Sequence, residues 1–229
     1  MAVGGIRLVH RNGKVMYSYE VSKGDNLSGT YPDWLGNGHT VWGQNNDLYF
    51  KVMKPTQLTQ TKQHLNIFGQ GTIKGVAYNG KFLGVISQRV GFPFSNMDFR
   101  LVDLNGNVLM SQTSITTNNW TGLTYDGKYY YTIDTSNSNI TQLLLQGSTI
   151  RTVQTYSLSG SSEQDLTYDG KYFYVVDRSG SGSPPSGNRV QILLDYGSVT
   201  SVTRKVEIIT DSGMKGICFD GNHFIMTFS

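Results

Sequence analysis

The chain has 229 residues and a formal net charge of +3, from 19 Lys and Arg against 16 Asp and Glu. That balance gives no nucleic-acid footprint, since no basic run is interleaved with aromatics, and no apolar run approaches the ~20 residues of a membrane-spanning helix. A single cysteine, Cys218, excludes an intrachain disulfide, and the N-terminal MAVGGIRLVHRNGK lacks the apolar stretch of a secretion signal.

In chain order, Ile6–Glu20 reads as strand, Asn12-Gly13 turn and strand. Val21–Asn37 is polar, with Pro32 and several glycines, and is predicted as a loop. His39–Met53 is predicted as a hairpin turning near Asn45-Asn46-Asp47, with residues 55–69 holding two further strands. Then one phrase repeats: GVAYNGKFLGVIS from Gly75, GLTYDGKYYYTID from Gly122, DLTYDGKYFYVVD from Asp165 and GICFDGNHFIMTFS from Gly216. Each is an apolar strand closed by Tyr or Phe, an Asn-Gly or Asp-Gly pair, and an alternating aromatic strand. That pair is what a type I′ hairpin turn requires, because both of its central residues sit at φ > 0.

The turn glycines Gly80, Gly127, Gly170 and Gly221 are spaced by 47 (127 − 80), 43 (170 − 127) and 51 (221 − 170) residues. A strand-rich period of roughly 40–50 residues marks a propeller-type array. The second unit runs from about Thr72 to Thr113, the third from Trp120 to Leu158 and the fourth from Gln164 to Ile209. The fifth begins at Met214 and lacks its outer strands. Phe99–Thr113, FRLVDLNGNVLMSQT, aligns position by position with Ile6–Glu20, IRLVHRNGKVMYSYE. The N-terminal hairpin therefore supplies the missing outer strands, and residues 1–229 form one domain. The expected fold is all-β: a five-bladed β-propeller of four-stranded antiparallel blades, closed by pairing the N-terminal strands with the C-terminal hairpin.

Through this repeated hairpin the chain resembles the β-propeller superfamily over nearly its full length. The WD dipeptide of WD40 blades and the glycine doublet of kelch blades are absent, while size and blade number are similar to those of the tachylectin-type lectins. The likeness implies architecture only.

In a four-stranded meander the tight turns fall on one face and the longer connections on the other. That loop face collects 21–37, 88–98, 114–119, 159–162 and the Gly/Ser/Pro-rich 178–188, and loops on a rigid scaffold commonly carry binding. The candidate partner-binding residues there are Tyr31, Trp34, Arg89, Phe92, Phe94, Trp120 and Arg178. The competing reading folds the aromatics into blade packing, above all Trp120, which begins an inner strand. Glycoside hydrolysis would need acids on separate inner strands, yet those strands begin Lys74-Gly75, Thr121-Gly122, Gln164-Asp165 and Lys215-Gly216, with acids only at Glu163 and Asp165. The glycines read as room for strands crowding at the axis. His10, His39, His64 and His223 lie in separate elements without metal-ligand spacing.

No cofactor and no enzymatic activity are expected. The function expected is that of a structural or interaction propeller: a virion component such as a tail, nozzle or host-attachment protein, docking a protein partner or another copy of itself through the loop face. A carbohydrate-binding lectin contacting surface glycans is the alternative, and a glycoside-acting enzyme is a third, disfavoured reading. A polar, weakly charged surface without an export signal suits a virion or an extracellular surface, with the cytoplasm as the other location.

Overall fold

The computed structural model describes residues 5–10, 15–20, 31–37, 39–44, 47–54, 57–66, 71–89, 96–158, 163–177, 189–193, 204–209 and 214–228. Among these, every regular element is a strand. In chain order they are β1 (Gly5–His10), β2 (Val15–Glu20), β3 (Tyr31–Gly36), β4 (His39–Gln44), β5 (Asp47–Lys54) and β6 (Gln57–Asn66). There follow β7 (Gly71–Tyr78), β8 (Leu83–Arg89), β9 (Asn96–Val102), β10 (Val108–Thr116), β11 (Trp120–Tyr125), β12 (Tyr130–Asp134), β13 (Asn139–Gln146) and β14 (Thr149–Ser157). The last six are β15 (Glu163–Tyr168), β16 (Phe173–Asp177), β17 (Arg189–Leu193), β18 (Arg204–Ile209), β19 (Met214–Phe219) and β20 (His223–Phe228).

The strands form four-stranded antiparallel sheets: β3 to β6, β7 to β10, β11 to β14 and β15 to β18, each in chain order, and β19-β20-β1-β2. In the last, Gly5 pairs with Phe228 and His10 with His223, so the N-terminal hairpin lies beside the C-terminal one. The innermost strands pack on one another in the sequence β3, β7, β11, β15, β19 and back to β3. Apolar clusters fill the same junctions. Val41 and Leu48 meet Ile73 and Leu83; Met97 and Phe99 meet Leu123 and Tyr130; Tyr131 and Ile133 meet Leu166 and Phe173. Tyr174 and Val176 meet Ile217 and Phe224, and Trp42 meets Cys218 and Ile225. The alternating aromatic strands thus bury one face against each neighbouring sheet, with edge-to-face pairs such as Phe99–Tyr130 at 5.4 Å and Tyr131–Phe173 at 4.7 Å.

Two expectations need correction. The first concerns 21–37, read as a loop: its last part is β3, an innermost strand, and the hairpin it opens turns just after Gly36, with φ of +94° at Gly36 and +52° at Asn37. Counted from Asn37, the interval to Gly80 is 43 (80 − 37), within the range of the other repeats. Pro32 is tolerated because β3 pairs on one side only, with β4. The stretch near Asn45-Asn46-Asp47 instead joins β4 to β5.

The second concerns the repeated turns. In the third sheet the Asp126 N–H donates to the Tyr129 carbonyl at 3.1 Å, so the two central residues are Gly127 and Lys128. Of these only Gly127 lies at positive φ, +103°, which is the pattern of a type II′ turn and not of type I′. Asp126 stands before the turn and closes it: its Oδ1 accepts the Lys128 and Tyr129 N–H groups at 2.7 and 2.6 Å. Asn79, Asp169 and Asp220 do the same at their turns.

Candidate functional site

The innermost strands bring polar groups of three sheets together at the axis. Tyr31 of β3, 8% exposed, reaches Thr121 of β11 with its hydroxyl at 3.0 Å. The Thr121 hydroxyl donates its one hydrogen to the Gln164 carbonyl of β15 at 2.7 Å, so the Tyr31 O–H is the donor to Thr121. Burial pushes the Tyr31 hydroxyl up to about 12, against the Thr121 hydrogen bond and with the charge of Asp165 adding to the rise.

Asp165, 2% exposed, accepts the Leu166 N–H on Oδ1 and the Ile217 N–H of β19 on Oδ2, each at 2.9 Å. Asp33 of β3 accepts the Tyr78 N–H of β7. Each carboxyl therefore ties its own innermost strand to that of an adjoining sheet, satisfying an N–H that has no strand partner on that side. Burial raises both, Asp33 to about 7 and Asp165 well above the carboxylate range, and the Asp33 charge adds to the rise at Asp165. The expectation that acids on separate inner strands are missing is corrected here. Asp33 is not visible as an inner-strand acid in the sequence, because β3 reads there as loop. A carboxyl titrating near neutrality can act as a general acid or base.

The sign of the pH effect follows from that shift. A carboxyl raised in the folded state holds its proton longer than in the unfolded chain, so its contribution to stability is complete below the ordinary carboxylate value of 3.8 and is lost as pH rises through about 7. Asp165 acts in the same direction. The thermal midpoint is expected to fall between pH 4 and pH 7, and Asp33→Asn, which keeps an acceptor for the Tyr78 N–H, is expected to flatten that slope. Calorimetry of both proteins across this range checks it, and identical slopes would remove Asp33 as the cause.

On the loop face, Arg89 closes β8 and its guanidinium Nε and Nη2 donate to Asp98 Oδ2 of β9 at 3.2 and 2.7 Å. Asp98 is 2% exposed, and its Oδ1 accepts the Ser114 N–H at 2.9 Å. This bonding ties the end of β8 to β9 and β10. At the end of β12, Asp134 accepts Asn118 Nδ2 at 2.6 Å, Asn137 Nδ2 at 2.8 Å and the Ser136 N–H at 3.0 Å. Of the other sequence-predicted residues, Trp34 is half-buried against the Trp42–Cys218–Ile225 cluster. Tyr31 and Trp120, at 8% and 4% exposure, are packed inside and offer no ring to a partner. Phe92, Phe94 and Arg178 lie outside the described residues. The glycines read as axial room do that work: a Cβ on Gly75 would lie 2.6 Å from the Gly122 carbonyl carbon, and one on Gly122 would lie 2.6 Å from Asp165 Oδ1.

No family model and no curated protein matches the chain. Solved structures do. Myxococcus xanthus glutaminyl cyclase aligns with a TM-score of 0.57 over 88% of this chain and 89% of its own, at 10% identity. A luciferin-regenerating enzyme aligns at 0.53 over 95% and 81%, with 14% identity. A chain of a nidogen–laminin complex aligns at 0.52 over 95% and 82%, with 12% identity. The fold is propeller-like. Identities this low establish the fold alone, but two of these propeller-like neighbours are enzymes, and the expectation that the chain is no enzyme is corrected accordingly. Among the described residues no helix is long and apolar enough to cross a membrane.

Proposed function

We propose that the chain is a closed five-bladed propeller that docks a protein partner through its loop face, as a component of a larger assembly such as a virion. Closure is supported by the pairing of β1 with β20 and by the round of contacts from β3 through β19 back to β3. The observation that carries the docking reading is the bonding that ties the end of β8 to β9 and β10. Arg89 and Ser114 converge on the buried Asp98, fixing the strand ends from which Phe92, Pro93 and Phe94 depart. Pro93 fixes its own φ and biases Phe92 towards an extended conformation. A local bias of this kind reduces the entropy lost on binding, and contiguous apolar groups presented to solvent mark interaction sites. The structure of a nidogen–laminin complex contains a propeller-like chain in a protein assembly.

The double change Phe92→Ser, Phe94→Ser tests the proposal. Folding is expected to hold while affinity for the native partner, recovered by co-purification, falls by about 2 kcal/mol or more, as for an interface hot spot. A sharp fall in thermal midpoint with unchanged binding by the folded fraction would place the rings in the core and remove the reading.

A second reading is favoured by Asp33 and Asp165: acid–base chemistry on a glycoside at the axis, with Asp33 as the titrating group. It requires the wild type to hydrolyse at least one member of an aryl-glycoside panel and Asp33→Asn to lose that activity. A silent wild type or an active variant removes it.

A further inference from the structure

The face opposite the loops carries a recurring unit. At the turn of β7–β8 the Lys81 ammonium stands 4.9 Å from the centre of the Phe82 ring. At β11–β12 Lys128 stands 4.7 Å from the Tyr129 ring, and at β15–β16 Lys171 stands 4.8 Å from the Tyr172 ring. The three lysines are exposed and the three rings half-buried. Their position is fixed by the turn itself: glycine takes the first central position at positive φ, lysine the second, and the aromatic starts the return to the core. In β19–β20 the corresponding residue is Asn222, and the sequence between β3 and β4 holds no lysine. The units thus occupy three consecutive sheets and form an arc.

We propose that this arc binds an acidic polysaccharide, a sugar polymer bearing carboxylates, with each lysine pairing a carboxylate and each aromatic ring packing on a sugar face. An exposed cation–π contact is weak, so a lysine can exchange its ring for a carboxylate and open the ring to a pyranose. Three like units in an arc match a ligand that repeats, and linked weak sites gain avidity from one chain. Charge density selects the polymer. Asp126 and Asp169 stand in the turns beside Lys128 and Lys171, and such carboxylates oppose the closely spaced phosphates of a nucleic acid. This surface lies away from the 90–95 connection and does not depend on the docking reading.

Binding of polygalacturonate oligomers to the full chain, measured by titration calorimetry at two salt concentrations, tests the proposal, with dextran and a DNA duplex as comparison ligands. Polygalacturonate is expected to bind and to weaken with salt, while dextran and DNA bind at least tenfold more weakly. The triple change Lys81→Ala, Lys128→Ala, Lys171→Ala is expected to reduce binding at least tenfold with an unchanged thermal midpoint. The corresponding triple arginine variant is expected to retain binding, and Phe92→Ser, Phe94→Ser to leave it intact. Absence of polygalacturonate binding by the wild type, DNA binding of equal strength, or full binding by the triple alanine variant each overturns the proposal. Should the alanine variant fail to fold, the salt dependence and ligand ranking of the wild type decide alone.

Discussion

Gly122→Ala is expected to cost far more stability than Gly127→Ala, although both residues sit at positive φ. Gly122 has φ +66° and Gly127 has φ +103°. Any L-residue there meets its own carbonyl, a penalty of roughly 1–2 kcal/mol. At Gly127 that is the whole cost, since a Cβ has no neighbour within 4 Å. At Gly122 the Cβ would lie 2.6 Å from Asp165 Oδ1, 2.9 Å from Asp165 Cα and 2.9 Å from Leu166 Cδ2. The Asp165 backbone cannot yield without moving β15, and its carboxyl is held by the Leu166 and Ile217 N–H groups. Overpacking of this kind costs roughly 1–3 kcal/mol further, for a total of about 2–5 kcal/mol. Urea denaturation of the two variants measures the difference. Equal losses would show that β11 and β15 do not approach as closely as described.

The repeated hairpins were legible because local geometry dictates their residues. A turn with Gly at φ > 0 and an Asx side chain capping two N–H groups leaves little choice at those positions, and the aromatic alternation follows from burial on one face. The turn type was misread because Asp-Gly also suits type I′, and the sequence does not say whether Asp lies in the turn or before it. β3 was illegible for the same local reason: its turn at Gly36 and Asn37 follows Leu35 in place of Tyr or Phe, and Pro32 reads as a breaker until the strand is known to have an unpaired edge. With β3 hidden in this way, the sequence puts Asp33 and Tyr31 on a loop. The axial network of Tyr31, Thr121 and Gln164 joins residues of three sheets, and such a meeting depends on which sheets face one another and not on any local pattern. Trp120 shows the opposite case. Its position at the start of an inner strand favoured burial, and it is buried. The lysines after Gly80, Gly127 and Gly170 are visible in the sequence, but a side chain's exposure beside its ring is not readable from spacing.

Removal of residues 1–21 is expected to abolish cooperative folding. Those residues contain β1 and β2, and β1 is the strand paired to β20 from Gly5↔Phe228 to His10↔His223. Without it, β20 becomes an edge with every outward N–H and C=O unpaired. Its sequence, HFIMTF, carries no Lys, Asp, Glu or Pro, and Phe224, Ile225 and Met226 are fully buried in the intact chain. An apolar edge without charge or proline is a template for aggregation. Leu8 of β1 also leaves the cluster of Trp42, Cys218 and Ile225 that joins this sheet to the one beginning at β3. The damage therefore reaches a junction between sheets, and the loss is expected to rival the whole stability of a domain, about 5–15 kcal/mol. Loss of folding alone could reflect the missing mass, so a circular permutant separates the causes. Because Gly5 lies opposite Phe228, a short linker can join the two ends, and the exposed turn at Gly147 and Ser148 can be opened instead. The permutant keeps the pairing of β1 with β20 and is expected to show one sharp calorimetric transition, while the truncated chain aggregates or melts without one. A truncated chain that retains the full transition would falsify closure through the N-terminal hairpin, and so would a permutant that cannot fold.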